Sequence, residues 1–341
     1  MSGRHPWSRF RHSRFLPATV ITGILAVAAG LFAGSYTYAS ADPQPQYVPV
    51  ALVGDVDTDT ETFLDDIDDA LEGALQIRSF SSASDAREAL DDQDVFAVFD
   101  VTSDQGITVW ISTASGTSVA SALESAIAAV VESDQLTVTV TDLHPLQDTD
   151  PHGLTLFYMT IAAVVVGFVG AVQLGVNARA LCPWERIGFT AAYAILAGFA
   201  IVAAVDLVLG ALDLPVWESW GILALTMFTC GMVYTLFNDL FGRWAMIPTW
   251  ALMILLGNPS SGGAVAWPLL PTWLAIIGGW LPPGASINAQ HTAVYFPDHQ
   301  HAWPFLVLIG WAVLATVLYL VRVRLRRGGP ASTPPGQDGA A

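Results

Sequence analysis

The stretch Leu255-Leu256-Gly257-Asn258-Pro259-Ser260-Ser261-Gly262-Gly263 decides how the second half of the chain is built. Its glycines and its proline prevent a continuous helix. The run that follows, residues 264–283, is broken by prolines yet is too apolar for a solvated loop. Its large apolar side chains are Trp267, Leu269, Leu270, Trp273, Leu274, Ile276, Ile277, Trp280 and Leu281. Because lipid does not tolerate exposed irregular backbone, we expect residues 257–283 to form a re-entrant hairpin at the membrane edge, shielded by neighbouring helices.

The composition is that of a polytopic membrane protein. Of the 341 residues, 53% are hydrophobic and only 13% are charged, and the apolar residues are gathered in long runs. The net charge of -17 arises mainly from residues 42–150, whereas the basic residues, all Arg, lie mostly beside apolar runs. This segregation argues against a nucleic-acid partner. The two cysteines, Cys182 and Cys230, are far apart, so we expect no disulfide and no cysteine-based metal site. We also expect no cofactor.

The N-terminus has two possible interpretations. Residues 1–15 mix arginines with aromatic residues, which is typical of a cytoplasmic segment lying along the membrane surface. Residues 16–41 then form the first transmembrane helix, since a run of about 20 apolar residues spans a bilayer. The basic start and the ending Ala39-Ser40-Ala41 also fit a cleavable signal peptide, whose apolar region is usually about 7 to 15 residues long. We favour the retained helix because the run is longer than that. The arginines of the first segment are Arg4, Arg9, Arg11 and Arg14.

Residues 42–152 form an acidic domain in which strands and helices alternate, which predicts a small extracytoplasmic α/β domain. Strands are expected at 48–53, 77–80, 95–101, 107–111 and 136–141, and helices at 60–75, 83–92 and 119–131. Asp55, Asp57 and Asp59 resemble the start of a calcium loop, but the sixth position is Thr60 and the twelfth is Asp66, which favours a solvated acidic face. No catalytic constellation is visible, so we expect a binding or spacer domain and no enzyme.

The remainder, residues 153–322, is expected to form a five-helix membrane domain. Candidate spans are 154–176, 187–212, 220–237, 244–256 and 303–321, the fourth of them short. With the first helix this makes six transmembrane helices. The arginines outside the acidic domain then fall on one side, which predicts a plasma-membrane protein with both termini cytoplasmic and a basic, then disordered, tail at 323–341. Those after the first helix are Arg179, Arg186, Arg243, Arg322, Arg324, Arg326 and Arg327.

This architecture resembles the permeases of type-2 ABC exporters, in the branch that includes the phage-infection-protein-like membrane proteins. The specific match is Asn258-Pro259-Ser260-Ser261-Gly262-Gly263, followed by Pro268-Leu269-Leu270-Pro271 and Leu281-Pro282-Pro283-Gly284. Supporting matches are Leu240-Phe241-Gly242 and Ser84-Asp85-Ala86-Arg87-Glu88-Ala89-Leu90. The resemblance covers most of residues 16–322 in architecture and about 40 residues in motif.

The resemblance implies an exporter of a lipophilic or envelope-directed substrate, driven by a separate cytoplasmic ATP-binding subunit. The chain has no lysine and therefore no phosphate-binding loop of its own. Its best candidate docking site for the ATPase is the loop 177–187, with Arg179, Trp184, Glu185 and Arg186, although these arginines also serve as a topology signal. The family implies a homodimer or a paralogous permease partner, in contact with membrane lipid. The alternative is a non-transporting scaffold or receptor that displays the acidic domain.

Three further features could have a role. Asp206 is the one carboxylate well inside a span, which suits either a substrate path or a capping position near the outer end of its helix. Small residues repeat at every fourth position in the first two spans and include Gly30, Gly34, Gly167 and Gly175, so these helices are expected to pack closely, the first against the second or across a dimer. His291, His299 and His301 lie near the last span, where we expect a hydrated outer loop.

Overall fold

The computed structural model describes residues 15–40, 45–102, 106–134 and 137–327. The predicted interfacial segment with its four arginines, the last residue of the possible cleavage site and the tail beyond residue 327 lie outside the described residues. In chain order the helices and strands are α1 (Leu16–Ser40), β1 (Val48–Val53), α2 (Thr58–Ala70), β2 (Leu75–Phe80), α3 (Ala83–Asp91), β3 (Ala97–Asp100), β4 (Ile107–Ile111), α4 (Thr117–Asp134), β5 (Val138–Asp142), α5 (Thr155–Asn177), α6 (Pro183–Val202), α7 (Val216–Phe241), α8 (Met246–Trp250), α9 (Thr272–Gly278), α10 (Pro282–Tyr295) and α11 (Ala302–Arg327).

The acidic region folds as the predicted α/β domain, around one five-stranded sheet of order β2-β1-β3-β4-β5. Strand β1 pairs in parallel with β2 and β3, β4 runs antiparallel to β3, and β5 is parallel to β4. All six residues of β1 are buried because helices cover both faces of the sheet. Helices α2 and α4 pack on one face, around Phe63, Phe99 and Leu123. Helix α3 packs on the other face, around Leu90 and Trp110.

One of the acidic residues that resembled a calcium loop, Asp57, has a local structural role. The side chain of Asp57 accepts the backbone N–H of Thr60 at 2.8 Å and so caps the N-terminus of α2. Within the described ranges, no cluster of three or more His, Cys, Asp or Glu side chains is arranged to hold a metal ion.

The chain is a membrane-embedded protein. Among the described residues, five helices are long and apolar enough to cross a bilayer, namely α1, α5, α7, α11 and α6 with the π-helical turn Ala203–Val208 that continues it. Helix α7 lies at the centre and contacts α5, α6, α10 and α11. At Gly167 of α5 an added Cβ would lie 2.8 Å from the carbonyl oxygen of Met227 in α7, so these two backbones touch.

The fifth of the six expected spans, residues 244–256, is a short element. It consists of the five residues of α8 and the six-residue π-helix Ala251–Leu256. At about 1.5 Å per residue this is about 16 Å, which is roughly half of a hydrocarbon core about 30 Å thick. The chain continues from its end into the glycine-rich stretch. Six complete spans therefore stay a prediction.

Candidate functional site

A cavity of about 350 Å³ lies where the α/β domain meets the membrane domain. We call it the junction cavity. Its lining combines the end of α3, the turn before α4, the start of α5, the glycine-rich stretch and α10. Its size lies within the range of small-ligand sites in proteins, about 300–1,000 Å³. The lining includes acidic, aromatic and other polar side chains, among them Asp92, Asp94, Phe96, Phe157, Trp267, Asn288, His291 and Trp303.

The glycine-rich stretch borders this cavity. Gly257, Asn258, Pro259 and Ser260 are buried, and Ser260, Ser261, Gly262 and Gly263 line the cavity. The serine side chains hold the turn, because Ser260 Oγ donates to the carbonyl of Leu256 and Ser261 Oγ donates to that of Asn258, each at 2.7 Å. The motif on which the family resemblance rests therefore forms a tight turn beside the cavity, held by hydrogen bonds within the turn itself.

The segment after the turn does not form one continuous hairpin. Instead, Ala266 and Leu269 join the core of the α/β domain. The backbone N–H of Ala266 donates to Ser118 Oγ at 3.0 Å, and the carbonyl of Pro268 accepts the N–H of Gln46 at 2.8 Å. Residues 257–283, the expected hairpin, thus form a buried turn, then a segment that docks on the α/β domain, residues 264–270, and then helix α9. We call residues 264–270 the strap. This docking buries Ala266 and Leu269 of the strap, whereas Leu270 packs with Ala39 of α1 and Leu274 of α9.

The loop between α10 and α11 fastens the α/β domain at a second place. His299 Nδ1 lies 2.7 Å from Asp92 Oδ1, and His301 Nε2 lies 2.9 Å from the carbonyl oxygen of Asp92. The hydrogen bond to the Asp92 carboxylate, with the neighbouring acidic charges, raises the pKa of His299 above its ordinary value. We call this contact the histidine latch. The sequence predicted only a hydrated outer loop here.

The histidine latch predicts a pH dependence. Since the folded protein raises the pKa of His299, its stabilising effect is complete below the unfolded pKa of about 6.5 and is lost as pH rises through the folded value. We expect the thermal midpoint of the wild type to exceed that of His299→Gln at about pH 6, and the difference to shrink steadily above it. Melting curves in lipid nanodiscs from pH 5.5 to 9 measure this. His152→Gln, at an exposed histidine, is the control, and a gap that grows with pH would contradict the latch.

Two polar contacts secure the start of α5 and the loop before α7. The amide of Gln147 bonds Asp213 in both directions, since its Nε2 donates to the carbonyl at 3.0 Å and its Oε1 accepts the N–H at 2.7 Å. The buried carboxylate of Asp150 accepts the N–H groups of Leu154 at 3.2 Å and Thr155 at 3.0 Å, which caps α5. The α/β domain is therefore held against the membrane domain at several separate points.

The candidate ATPase-docking loop lies far from the junction cavity. Helix α5 starts at the α/β domain and runs for 23 residues, about 34 Å, before this loop begins. Glu185 Oε2 accepts the N–H of Cys182 at 2.7 Å and so caps α6, while Trp184 is 62% exposed. Arg179 is exposed and Arg186 is half-buried. On the same end of the domain, Asp239 pairs with Arg322 at 2.9 Å and Arg326 at 2.8 Å.

The other candidates fall in separate places. Asp206 lies in the π-helical turn at the end of α6, where it is half-buried in a shallow pocket near Gln147 and Asp213. It therefore lies at the edge of the membrane domain that faces the α/β domain. Gly167 meets Met227 of α7, whereas the sequence analysis considered the first helix or a second copy of the chain as the partner of this stripe. Gly175 lies near Arg186, and an added Cβ at Gly30 or Gly34 would meet nothing within 4 Å.

Sequence reasoning missed the residues that connect the domains. Trp267, Asp92 and Gln147 lie far from their partners in sequence, and only the folded chain brings them together. The sequence did contain one indication of these contacts. The many Trp and Leu residues after the glycine-rich stretch predicted that this segment is buried, although not where. No protein-family model, no curated protein and no solved structure matches this chain.

Proposed function

We propose that the chain is the membrane subunit of an ABC-type exporter, with ATP hydrolysed by a separate cytoplasmic subunit. The observation that carries the proposal is the exposed Trp184 at the end of the membrane domain far from the α/β domain. A large aromatic side chain beside charges of both signs, Arg179 and Glu185, is typical of a protein interface. The substrate class that we propose is lipophilic or envelope-directed.

The proposed orientation places the α/β domain outside the plasma membrane and both termini in the cytoplasm. It is supported by the arginines of the membrane domain, because Arg179, Arg243 and Arg322 belong to the end opposite the α/β domain. An excess of arginine marks the cytoplasmic side of a membrane protein. A composite crossing through α8, the buried turn and α10 would complete the sixth passage.

The native cysteines test this orientation directly. Cys182 is exposed in the docking loop, whereas Cys230 is buried in α7. A membrane-impermeant maleimide should therefore leave the wild type unlabelled in intact cells and label it in inside-out vesicles. A Cys182→Ser, Glu88→Cys variant, which carries an exposed cysteine on the α/β domain, should give the opposite pattern. Labelling of Cys182 in intact cells would exclude the proposed topology.

The docking loop gives a second test. Trp184→Ala should lower the amount of ATPase that co-purifies with the chain at least tenfold. The amount of folded chain should stay the same, because the exposed Trp184 side chain makes few contacts within the chain. Trp217→Ala is the matched control, since Trp217 is 76% exposed at the other end of the membrane domain. Charge reversal at Glu185 is less clean because Glu185 caps α6. If Trp184→Ala retains the ATPase as well as Trp217→Ala does, this loop is not the contact.

An exporter that opens between two halves needs a second copy or a paralogue of this chain. We propose that α1 contributes to that contact. No residue in its most apolar 18-residue window is buried within the chain, and Gly30 and Gly34 leave open space around it. Small residues allow helix backbones to approach closely in lipid. Disulfide crosslinking of Gly30→Cys in native membranes should give a two-chain band, and its absence would remove α1 from the contact.

A further inference from the structure

We propose that the junction cavity binds a lipophilic cation. The inference rests on the lining of the cavity and holds whether or not the chain works with an ATPase. Three features of the lining carry it, namely its charge, its aromatic rings and its position between a polar and an apolar domain.

The charge of the lining is negative. Asp92 and Asp94 contribute carboxylates, and none of the described lining residues is an arginine. Asp92 shares its carboxylate with His299, but the exposed Asp94 forms no ion pair in the described part of the chain. Arg78, which is outside the lining, donates to the backbone carbonyl of Asp94 at 3.3 Å and forms no ion pair with its carboxylate in the described residues. An unpaired carboxylate at a cavity with no facing arginine favours a cationic ligand over an anionic one.

Three histidines, His152, His291 and His301, also line the cavity. His291 is half-buried in α10, and its ring centroid lies 5.4 Å from that of Tyr295. His301 is exposed and bonds the carbonyl of Asp92. The acidic α/β domain adds to the negative potential around the cavity, which raises the local concentration of cations.

Aromatic rings supply the second feature. Phe96 and Trp267 line the side of the cavity formed by the α/β domain and the strap, with ring centroids 5.7 Å apart. Phe157 and Trp303 line it from α5 and α11. Ring faces attract cations by about 0.5–2 kcal/mol each, most strongly where water is excluded, and they also bind apolar groups. A lining that combines carboxylates with aromatic rings can bind a cation whose charge is surrounded by hydrocarbon groups, because the carboxylates attract the charge and the rings contact the hydrocarbon.

Position is the third feature. The cavity lies between the acidic α/β domain and the helices α5 and α10, which contribute the apolar side chains of Phe157 and Ile287 to its lining. A ligand that partitions into the membrane and carries a positive charge can contact the apolar side chains of the membrane domain and the acidic side chains of the α/β domain in the same position. A strongly hydrated cation would lose its water beside Phe157 and Ile287 at a large cost.

Tetraphenylphosphonium and tetraphenylborate provide a matched pair of probes, with the same shape and opposite charge. Equilibrium dialysis against the full chain in phosphatidylcholine nanodiscs, with empty nanodiscs as blank, measures their binding. Saturable binding of about one tetraphenylphosphonium per chain is expected, with at least tenfold weaker binding of tetraphenylborate. Asp94→Asn should weaken tetraphenylphosphonium binding at least fivefold. Glu88→Gln removes the same charge from an exposed α3 residue outside the lining and should have no effect.

A blocking variant locates the site. Asn288 is exposed and lines the cavity, so Asn288→Trp can fill it while the chain keeps its fold, which a thermal melt verifies. This variant should abolish saturable binding. The proposal is overturned if the two probes bind equally, if neither binds above the blank, or if Asp94→Asn and Asn288→Trp bind tetraphenylphosphonium as the wild type does.

Discussion

Replacing Gly278 with alanine is expected to abolish the folded protein, whereas the same change at Gly279 is expected to leave it intact. A Cβ added at Gly278 would overlap the carbonyl oxygen of Ser260, which belongs to the buried turn. Backbone cannot move aside as the end of a flexible side chain can. At Gly279 the nearest atom to an added Cβ is 3.9 Å away. Overpacking usually costs about 1–3 kcal/mol, and overlap with backbone places Gly278→Ala at or above about 3 kcal/mol.

Comparing Gly278→Ala with Gly279→Ala separates the effect of the backbone overlap from the effect of alanine on helix propensity. Both residues end the same short helix, α9, where alanine by itself would be favourable. Yield of monodisperse protein and the thermal midpoint in nanodiscs are the measurements. The turn is held by further close contacts of this kind, since an added Cβ at Gly257 would lie 2.6 Å from Pro283 Cγ, and one at Gly284 would overlap the carbonyl of Gly278. Equal stability of Gly278→Ala and Gly279→Ala would show that the turn is not packed as described.

The second large loss of stability is expected when Trp267, the aromatic residue of the strap, is replaced by alanine. Its ring lies between Tyr47, at a centroid distance of 5.2 Å, and Phe96, at 5.7 Å. Trp267→Ala removes this contact and should cost about 3 kcal/mol. Because the neighbouring Ala266 and Leu269 complete the core of the α/β domain, we expect the domain to loosen from the membrane domain. Hydrogen exchange of α4 and of residues 264–270 should become faster while that of α7 stays unchanged.

Trp273→Ala is the matched control for this change. Trp273 follows six residues later, is 46% exposed, and its ring nitrogen lies 3.4 Å from the hydroxyl of Tyr38. Exposed aromatic side chains at such a rim suit the membrane interface, so their loss should cost little in chain packing. Slower exchange in Trp267→Ala, or an effect as large in Trp273→Ala, would contradict the role of the strap.

Much of the fold could be predicted from local patterns. The strands at 48–53 and 107–111 occur at the predicted residues, and the other three occur within a few residues of their expected positions. The long apolar helices were also predicted, because hydrophobic length is a property of consecutive residues. The α/β domain and the membrane-embedded character are confirmed. Orientation and the six-span count stay predictions.

The rest depends on contacts between residues distant in sequence. Composition showed that residues 264–270 must be buried, but an apolar side chain fits a membrane or a protein core equally well, and Ala266 proved to lie in the core of the α/β domain. Likewise, His299 was expected in a hydrated outer loop, and its partner Asp92 is 207 residues away. Gly167 was identified as a packing residue, while its partner Met227 was not. A stripe of small residues predicts close packing without naming the neighbouring helix.

The exporter proposal is tested most directly by the mass of the intact complex. The tagged full chain, extracted gently from its native membranes, should give by native mass spectrometry an assembly that contains two permease chains and two ATP-binding subunits. Adding ATP and magnesium should then produce phosphate release that Trp184→Ala abolishes and Trp217→Ala leaves unchanged. A preparation that retains its fold, contains this chain alone at every extraction condition and hydrolyses no ATP would contradict the proposal and favour a scaffold or receptor.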